Sequence, residues 1–268
     1  MSMEEIDVLK GRIHDLSARS AKDSYLTHTE FLSMSEQSMF YKILKEEHVS
    51  YLEGKYGGVS YFLYGGHEED DRKIIFFLPY YQKKEEVMNE IDDGEIISCL
   101  HVYPRNVKFA DTLSHRDYLG ALMHLGMKRE MFGDILTDGT DAYIFVISSM
   151  AAQVKEELVK VRHTAVRVDV IKPKDCPFEM RFSLENVNVS SIRLDAILAE
   201  VFHLSRRDSQ VLIASESVFL NGMTCMDNSH TLHENDRISV KTKGKFIYLG
   251  EVSTSRKGRL FVKIKRYC

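Results

Sequence analysis

Between residues 96 and 171 six periodic segments follow one another in a fixed order, and no other feature constrains the fold as tightly. "IISCLHVYP" (96–104) is an apolar run closed by Pro104, which suits a strand. "SHRDYLGALMHLG" (114–126) has helical spacing, with Ser114 as the expected N-cap. "GDILTDGTDAYIFVIS" (133–148) places Asp138-Gly139 between two apolar runs, the pattern of a β-hairpin. "SMAAQVKEELVKV" (149–161) predicts a second helix, and "AVRVDVI" (165–171) a last strand. The order is therefore β-α-β-β-α-β.

That order is the one found in ferredoxin-like split βαβ units, which RNA recognition motifs share. Such motifs stack bases on aromatics of the two central strands, and Tyr103, Tyr143 and Phe145 are the side chains available here. The usual Lys/Arg-Gly-Phe signature is absent from "DAYIFVIS". Upstream, residues 3–19 and 31–47 read as helices. "GVSYFLYGG" and "KIIFFLPYY" read as paired strands around the acidic loop "HEEDDR". Two of the four prolines fall in "IKPKDCPFEM", which reads as a linker at about 172–180. The expected division is an N-terminal α/β domain (1–90), a ferredoxin-like, RRM-like domain (91–172) and a C-terminal domain (181–268), α+β as a whole.

Charge separates these parts. The net charge is −4, yet residues 181–268 carry 14 Lys and Arg against 9 Asp and Glu. From residue 236 onward there are ten basic residues and two acidic ones. An acidic body with a basic tail domain points to a polyanion as partner for the tail, and leaves the acidic part for a possible protein partner. No apolar stretch is long enough for a membrane span and the N-terminus lacks a signal-like core, so a cytoplasmic protein without membrane contact is expected.

Catalytic signatures are missing. His115-Arg116-Asp117 resembles a kinase loop, but Leu122 stands where the metal-holding asparagine belongs. No phosphate-cradling glycine loop, nucleophile elbow or triad order occurs. The four cysteines (Cys99, Cys176, Cys225, Cys268) form no Cys-x-x-Cys pair, and the eleven histidines no ligand motif. No metal, no cofactor and no enzyme activity are expected.

The basic domain carries the informative stretch, "RLDAILAEVFHLSRRDSQVLIASESVFLNG" (193–222). It reads as two short helices and a strand ending at Asn221-Gly222. The first helix sets Leu194, Ile197, Leu198 and Val201 on one face; the second should bury Leu212 and Val211. Ser205 and Asp208 have capping-box spacing. Arg206 and Arg207 then occupy a first turn, where cations oppose the helix dipole. Placed there, two guanidinium forks beside free backbone N–H groups make an anion site. "DRISVKTKGKF" and "RLFVKIKRY" predict strands with Lys241, Lys243, Lys245, Arg259, Lys263 and Lys265 at mostly alternating positions, hence a basic strand face. Arg206, Arg207, Lys241, Lys243, Lys257 and Arg259 are the expected phosphate contacts.

These residues resemble a known family. "RLD" (193–195), "LSRRDSQVLI" (204–213), "VFLNG" (218–222) and "DRISV" (236–240) are similar to the S-four RNA-binding domain. The resemblance implies an αL-type fold offering two helices to structured RNA, with Arg193, Ser205, Arg206, Arg207, Gln210 and Asn221 at its RNA-meeting positions. The chain departs from that pattern at Glu216, where a glycine usually ends the second helix, and at Val211, Ala214 and Ser217, where Lys or Arg is frequent. Outside this part, "HVYPRNVKFADTLSHRDYLGALMHLGMKREMFGDI" (101–135) and "KGKFIYLGEVSTSRKGRLFVKIK" (243–265) resemble the YlmH family of bacterial RNA-binding proteins. That likeness implies a non-catalytic protein that binds ribosomal RNA and tRNA on the large subunit, in rescue of stalled peptidyl-tRNA complexes. The competing expectation is an RNA-modifying enzyme guided by the S-four part, with chemistry near His115, Arg116 and Asp117.

Overall fold

The computed structural model describes residues 3–255 and 258–267. Helix and strand are mixed throughout, and the chain divides into two compact units, Met1–Phe178 and Glu179–Cys268.

In the first unit, α1 (Met3–Asp23), β1 (Thr27–His28) and α2 (Met34–Glu46) come first. The second helix starts three residues later than its apolar spacing predicts, because Ser33 caps it reciprocally with Glu36. Then follow β2 (Lys55–Tyr56), β3 (Val59–Tyr64), β4 (Ile74–Leu78) and α3 (Lys84–Asp92), with sheet order β1-β4-β3-β2. The run "IIFFL" of β4 is buried at every position. Period-two alternation explains this: Ile75 and Phe77 pack toward α1 and α2, while Ile74, Phe76 and Leu78 pack into a second core.

That second core also takes Cys99, Ile97 and Phe145 from the next sheet. This sheet comprises β5 (Ile97–Pro104), β6 (Phe132–Thr137), β7 (Ala142–Ile147), β8 (Lys160–Val161) and β9 (Thr164–Ile171), in the order β6-β7-β5-β9-β8. All its pairings are antiparallel. With α4 (His115–His124) and α5 (Ala151–Glu157) in the two crossovers, this is split βαβ connectivity. Its other face holds Leu100, Val102, Ile144 and Val146 against Tyr118, Leu122 and Val154 of the helices. The unit is thus layered as helices, sheet, sheet, helices. The helix expected over 149–161 is shorter than its spacing suggested. It stops at Glu157, and the β-branched Val161 joins β8, which turns back onto β9 through Arg162 at φ 52°.

In the second unit, β10 (Phe182–Val189), α6 (Leu194–Val201), α7 (Arg206–Ala214), β11 (Val218–Leu220), β12 (Met223–Thr224), β13 (Arg237–Val240), β14 (Gly244–Thr254) and β15 (Leu260–Tyr267) follow one another. They form one sheet, β10-β15-β14-β13-β11-β12, carrying two helices. Leu194, Ile197, Leu198 and Val201 enter the core as their spacing requires, joined by Ile213, Val218, Ile238 and Phe246. Val211 does not: it is 58% exposed, and α7 buries Ser209 and Ile213 instead. A helical rotation of 100° per residue sets Val211 apart from the inward line of 209 and 213.

Candidate nucleic-acid interface

The centre of the second unit's polar chemistry is Asp195, in the first turn of α6 and fully enclosed. Five hydrogen bonds converge on its carboxylate. Arg193 donates from Nε to Oδ1 and from Nη2 to Oδ2, both at 3.2 Å. Arg206 donates from Nη2 to Oδ1 at 3.1 Å and from Nε to Oδ2 at 3.2 Å. Gln210 Nε2 adds a fifth bond at 3.1 Å. Burial pushes this carboxyl upward, but the bonds from Arg206, Gln210 and Arg193 outweigh it and hold it below the usual aspartate range.

This arrangement explains why a cation tolerates the first turn of α7. Arg206 is neutralised by an aspartate from the neighbouring helix, eleven residues earlier, so the penalty against the dipole is offset. Both arginines stay about half-exposed, at 41% and 46% of the side chain. Each spends two of its five N–H groups on Asp195, and Arg206 Nη1 also lies 3.5 Å from Ser190 Oγ, so the remaining N–H groups of both half-exposed forks are fixed in orientation. Two guanidiniums around one carboxylate leave a positive excess. Arg207, beside them, is exposed and makes no ion pair among the described residues. Ser205 caps α7, accepting from the Asp208 N–H at 3.0 Å and donating to its Oδ2 at 2.7 Å.

Asn221 and Gly222 form the two-residue turn between β11 and β12, at φ 51° and 84°. Positive φ at both positions is what a type I′ turn demands. The Asn221 side chain donates from Nδ2 to Asp236 Oδ1 at 2.8 Å and accepts from the Arg237 N–H at 2.9 Å. Its amide is therefore spent within the fold, while Asn221 is exposed and Gly222 half-buried.

The expected basic strand face is not formed as the alternation suggested. Lys241 and Lys243 lie in the turn between β13 and β14, where Thr242 has φ 66° and breaks the strand. Both are exposed. The Lys241 N–H bonds the Ser217 carbonyl, so this turn sits at the C-terminal end of α7. Nine helical residues, about 13 Å, separate that end from Arg206. Lys245 is buried, its ammonium over the Tyr267 ring. Lys265 lies 4.2 Å over the Phe182 ring, while Lys263 is exposed. Arg259 reaches Glu200 at 3.0 Å and the Asn188 carbonyl at 2.7 Å. Lys257 lies outside the described residues. The structure therefore gathers Arg193, Arg206 and Gln210 at one point, keeps Arg207 beside them, and sets Lys241 and Lys243 apart.

Sequence reasoning missed Asp195 as the hub, although "RLD" sits in plain view. It also missed a grouping of His230, His233 and Asp236, whose donor atoms lie within 4.8 Å of one another. The signal was there in the His-x-x-His-x-x-Asp spacing. Imidazole and carboxylate are donors that zinc or nickel accepts. Here the Asp236 carboxylate already accepts from Asn221 and from the His233 N–H at 2.7 Å, which accounts for it as a turn-fastening group.

In the first unit the aromatics of the central strands divide. Phe145 is buried in the core shared with β4. Tyr143 stacks on His101 at 4.7 Å and 8°, and Tyr103 lies 4.8 Å from the same imidazole. His101 meets Asp141 at 2.7 Å and Tyr103 donates to Asp169 at 2.8 Å.

A mixed α+β protein with a cationic, preoriented site is the class these features define. Residues 93–175, the split βαβ sheet with its helices, match a family model described as "Putative RNA-binding domain in YlmH". Over 144 residues the chain is 33% identical to the ribosome-associated protein quality control protein P2 of Bacillus subtilis (strain 168). That alignment covers 52% of this chain and 56% of the relative, so the chain spans little more than half of the curated protein it matches. Among solved structures, the cell division protein ylmH from Streptococcus pneumoniae is similar with a TM-score of 0.43 and 15% identity, over 64% of this chain and 93% of that one.

Proposed function

We propose that this is a non-catalytic protein that binds structured RNA, with large-subunit ribosomal RNA or ribosome-bound tRNA as its target, acting in ribosome-associated quality control in the cytoplasm. The C-terminal unit would serve as an S-four-type module. The Asp195 hub carries this reading. It holds the Arg193 and Arg206 forks rigid and side by side with Arg207 at a helix start, which is how a protein prepares for phosphates of fixed spacing. Asn221 and the exposed Lys241 and Lys243 would extend the contact along α7. The likeness of residues 93–175 to an RNA-binding domain supports it, as does the relative named for ribosome-associated quality control.

The test is co-sedimentation with separated ribosomal subunits and with tRNA across a salt series. Neutralising six to ten phosphates should cost about 10³–10⁵ in affinity between 50 and 200 mM salt. Arg207→Glu combined with Lys243→Glu should weaken binding sharply without disturbing the fold, since neither side chain has an internal partner among the described residues. Binding that ignores salt, or that is unchanged by both charge reversals, would remove the reading.

A further inference from the structure

We propose a second RNA site on the first unit: the groove between α4 and the edge strand β8, which receives a sugar–phosphate backbone. The inference rests on the RNA-binding reading above and says where residues 93–175 meet the strand.

The groove encloses about 580 Å³. One wall is a single stripe of α4, Arg116, Gly120 and His124, spaced four residues apart and all exposed. The other wall is Leu158 to Lys160 with Arg162. Lys160, the strand residue before the buried Val161, and Arg162, in the turn after it, are both exposed and both line the groove. Two acids line the groove and both are engaged. Asp117 accepts from the Ser114 N–H at 2.8 Å and lies 3.6 Å from Arg162. Glu157 accepts from Gln153 at 3.2 Å. Arg116 and Lys160 make no ion pair among the described residues, so the cationic character is available to a ligand.

Gly120 is the independent sign of a ligand. It stands inside a ten-residue helix, where glycine is unfavourable relative to alanine. Nothing in the fold requires it. Its φ is not left-handed, and a Cβ built there meets no atom within 4 Å. Gly133, by contrast, is required, because a Cβ there would come within 2.6 Å of Phe31. A helix glycine that neither backbone nor packing explains, set between Arg116 and His124, leaves bare backbone for something outside the fold to approach.

The sheet face of the same domain is less suited to a polyanion. One end is covered by Phe31, Phe62 and Phe76. The open strip presents Asp141, bonded to the His101 ring on which Tyr143 stacks, and Asp169, which accepts from the Tyr103 hydroxyl.

The experiment uses the full chain with purified large ribosomal subunits and with mixed tRNA. It combines binding isotherms over a salt series with ultraviolet cross-linking mapped by mass spectrometry. For Arg116→Glu/Lys160→Glu the slope of log affinity against log salt should fall by about two. Gly120→Ala should raise the unfolding midpoint while weakening binding, opposite signs that a purely structural glycine would not give. Tyr103→Ala/Tyr143→Ala should leave the isotherm unchanged, and cross-links should fall on 115–125 and 157–163. Cross-links in 1–178 confined to Tyr103 and Tyr143, or confined altogether to 179–267, would overturn the groove and leave RNA binding standing. Absence of any RNA binding by the wild type would overturn both.

Discussion

Asp195 of α6 and Arg206 of α7 are joined by two hydrogen bonds of 3.1 and 3.2 Å, tying together the two helices of the C-terminal unit. The carboxylate is enclosed while the guanidinium is half in water, so the two residues respond differently to removal. Arg193→Ala/Arg206→Ala takes away four of the five bonds and strands the charge beside Gln210 alone. The expected loss is about 3–5 kcal/mol, as for a buried pair deprived of its partner. Asp195→Ala frees two arginines that can turn into solvent, and should cost less. Urea denaturation of the full chain orders the two variants; the reverse order would mean that Asp195 is not the anchor. Its lowered pKa also fixes a pH trend. The stabilisation is complete above the unfolded aspartate value near 4, and fades as pH falls through the lower folded one.

Asn221 makes the opposite kind of contribution, through backbone as well as side chain. It holds φ 51°, and its amide ties Asp236 to the Arg237 N–H. Asn221→Ala would replace a residue that tolerates the left-handed region with one that does not, at up to about 2 kcal/mol, and lose two hydrogen bonds at about 1 kcal/mol each. A total near 2–4 kcal/mol should appear as a lower urea midpoint with an unchanged slope. Asn221→Gly restores the turn but not the bonds, and should recover part of that loss.

Asp70 sets a pH dependence in the first unit. Burial, with Asp134 nearby, pushes its carboxyl up to about 8, against the pull of the Gly65 and His67 N–H groups that it accepts from. A raised carboxyl binds its proton more tightly in the folded state. Its contribution is therefore full below the unfolded value near 4, and declines as pH rises through 8. Asp70→Asn should flatten the stability profile of the full chain between pH 4 and 8. A wild-type profile that rises across that window would contradict the assignment.

What the sequence made legible was what depends on local period. The six segments of 96–171 and the Asn221-Gly222 turn follow from alternation, helical spacing and turn chemistry, which neighbours in the chain decide. The buried run of β4 announced a strand, but not which layers cover it. That depends on Phe145 and Cys99, seventy and more than twenty residues away, meeting Ile74 and Phe76. At the candidate interface the arginines were visible and their partner was not. Asp195 looks like an ordinary first-turn acid until α7 folds back across α6. The lysine alternation failed for a local reason, the left-handed Thr242, which no propensity favours. Arg259 precedes β15 and pairs with Glu200, a contact across fifty-nine residues that no local pattern reveals.

Glu216 ends α7 at φ 55°, with its N–H on the Ile213 carbonyl and the next N–H on that of Leu212. A glutamate held there carries a left-handed penalty of about 1–2 kcal/mol. Glycine would relieve it, less about 0.5–1 kcal/mol for its freer unfolded chain. Glu216→Gly should therefore stabilise the full chain by up to about 1 kcal/mol, read from the urea midpoint. The same change removes an exposed negative charge one residue from Ser217, which holds the Lys241 turn. If that end of α7 faces phosphates, affinity for RNA should rise as well. Glu216→Asn separates the effects, since asparagine tolerates the left-handed region and is neutral, and its affinity should match that of the glycine variant. Stabilisation with no change in affinity in either variant would confine the RNA contact to the Arg206 end of the helix.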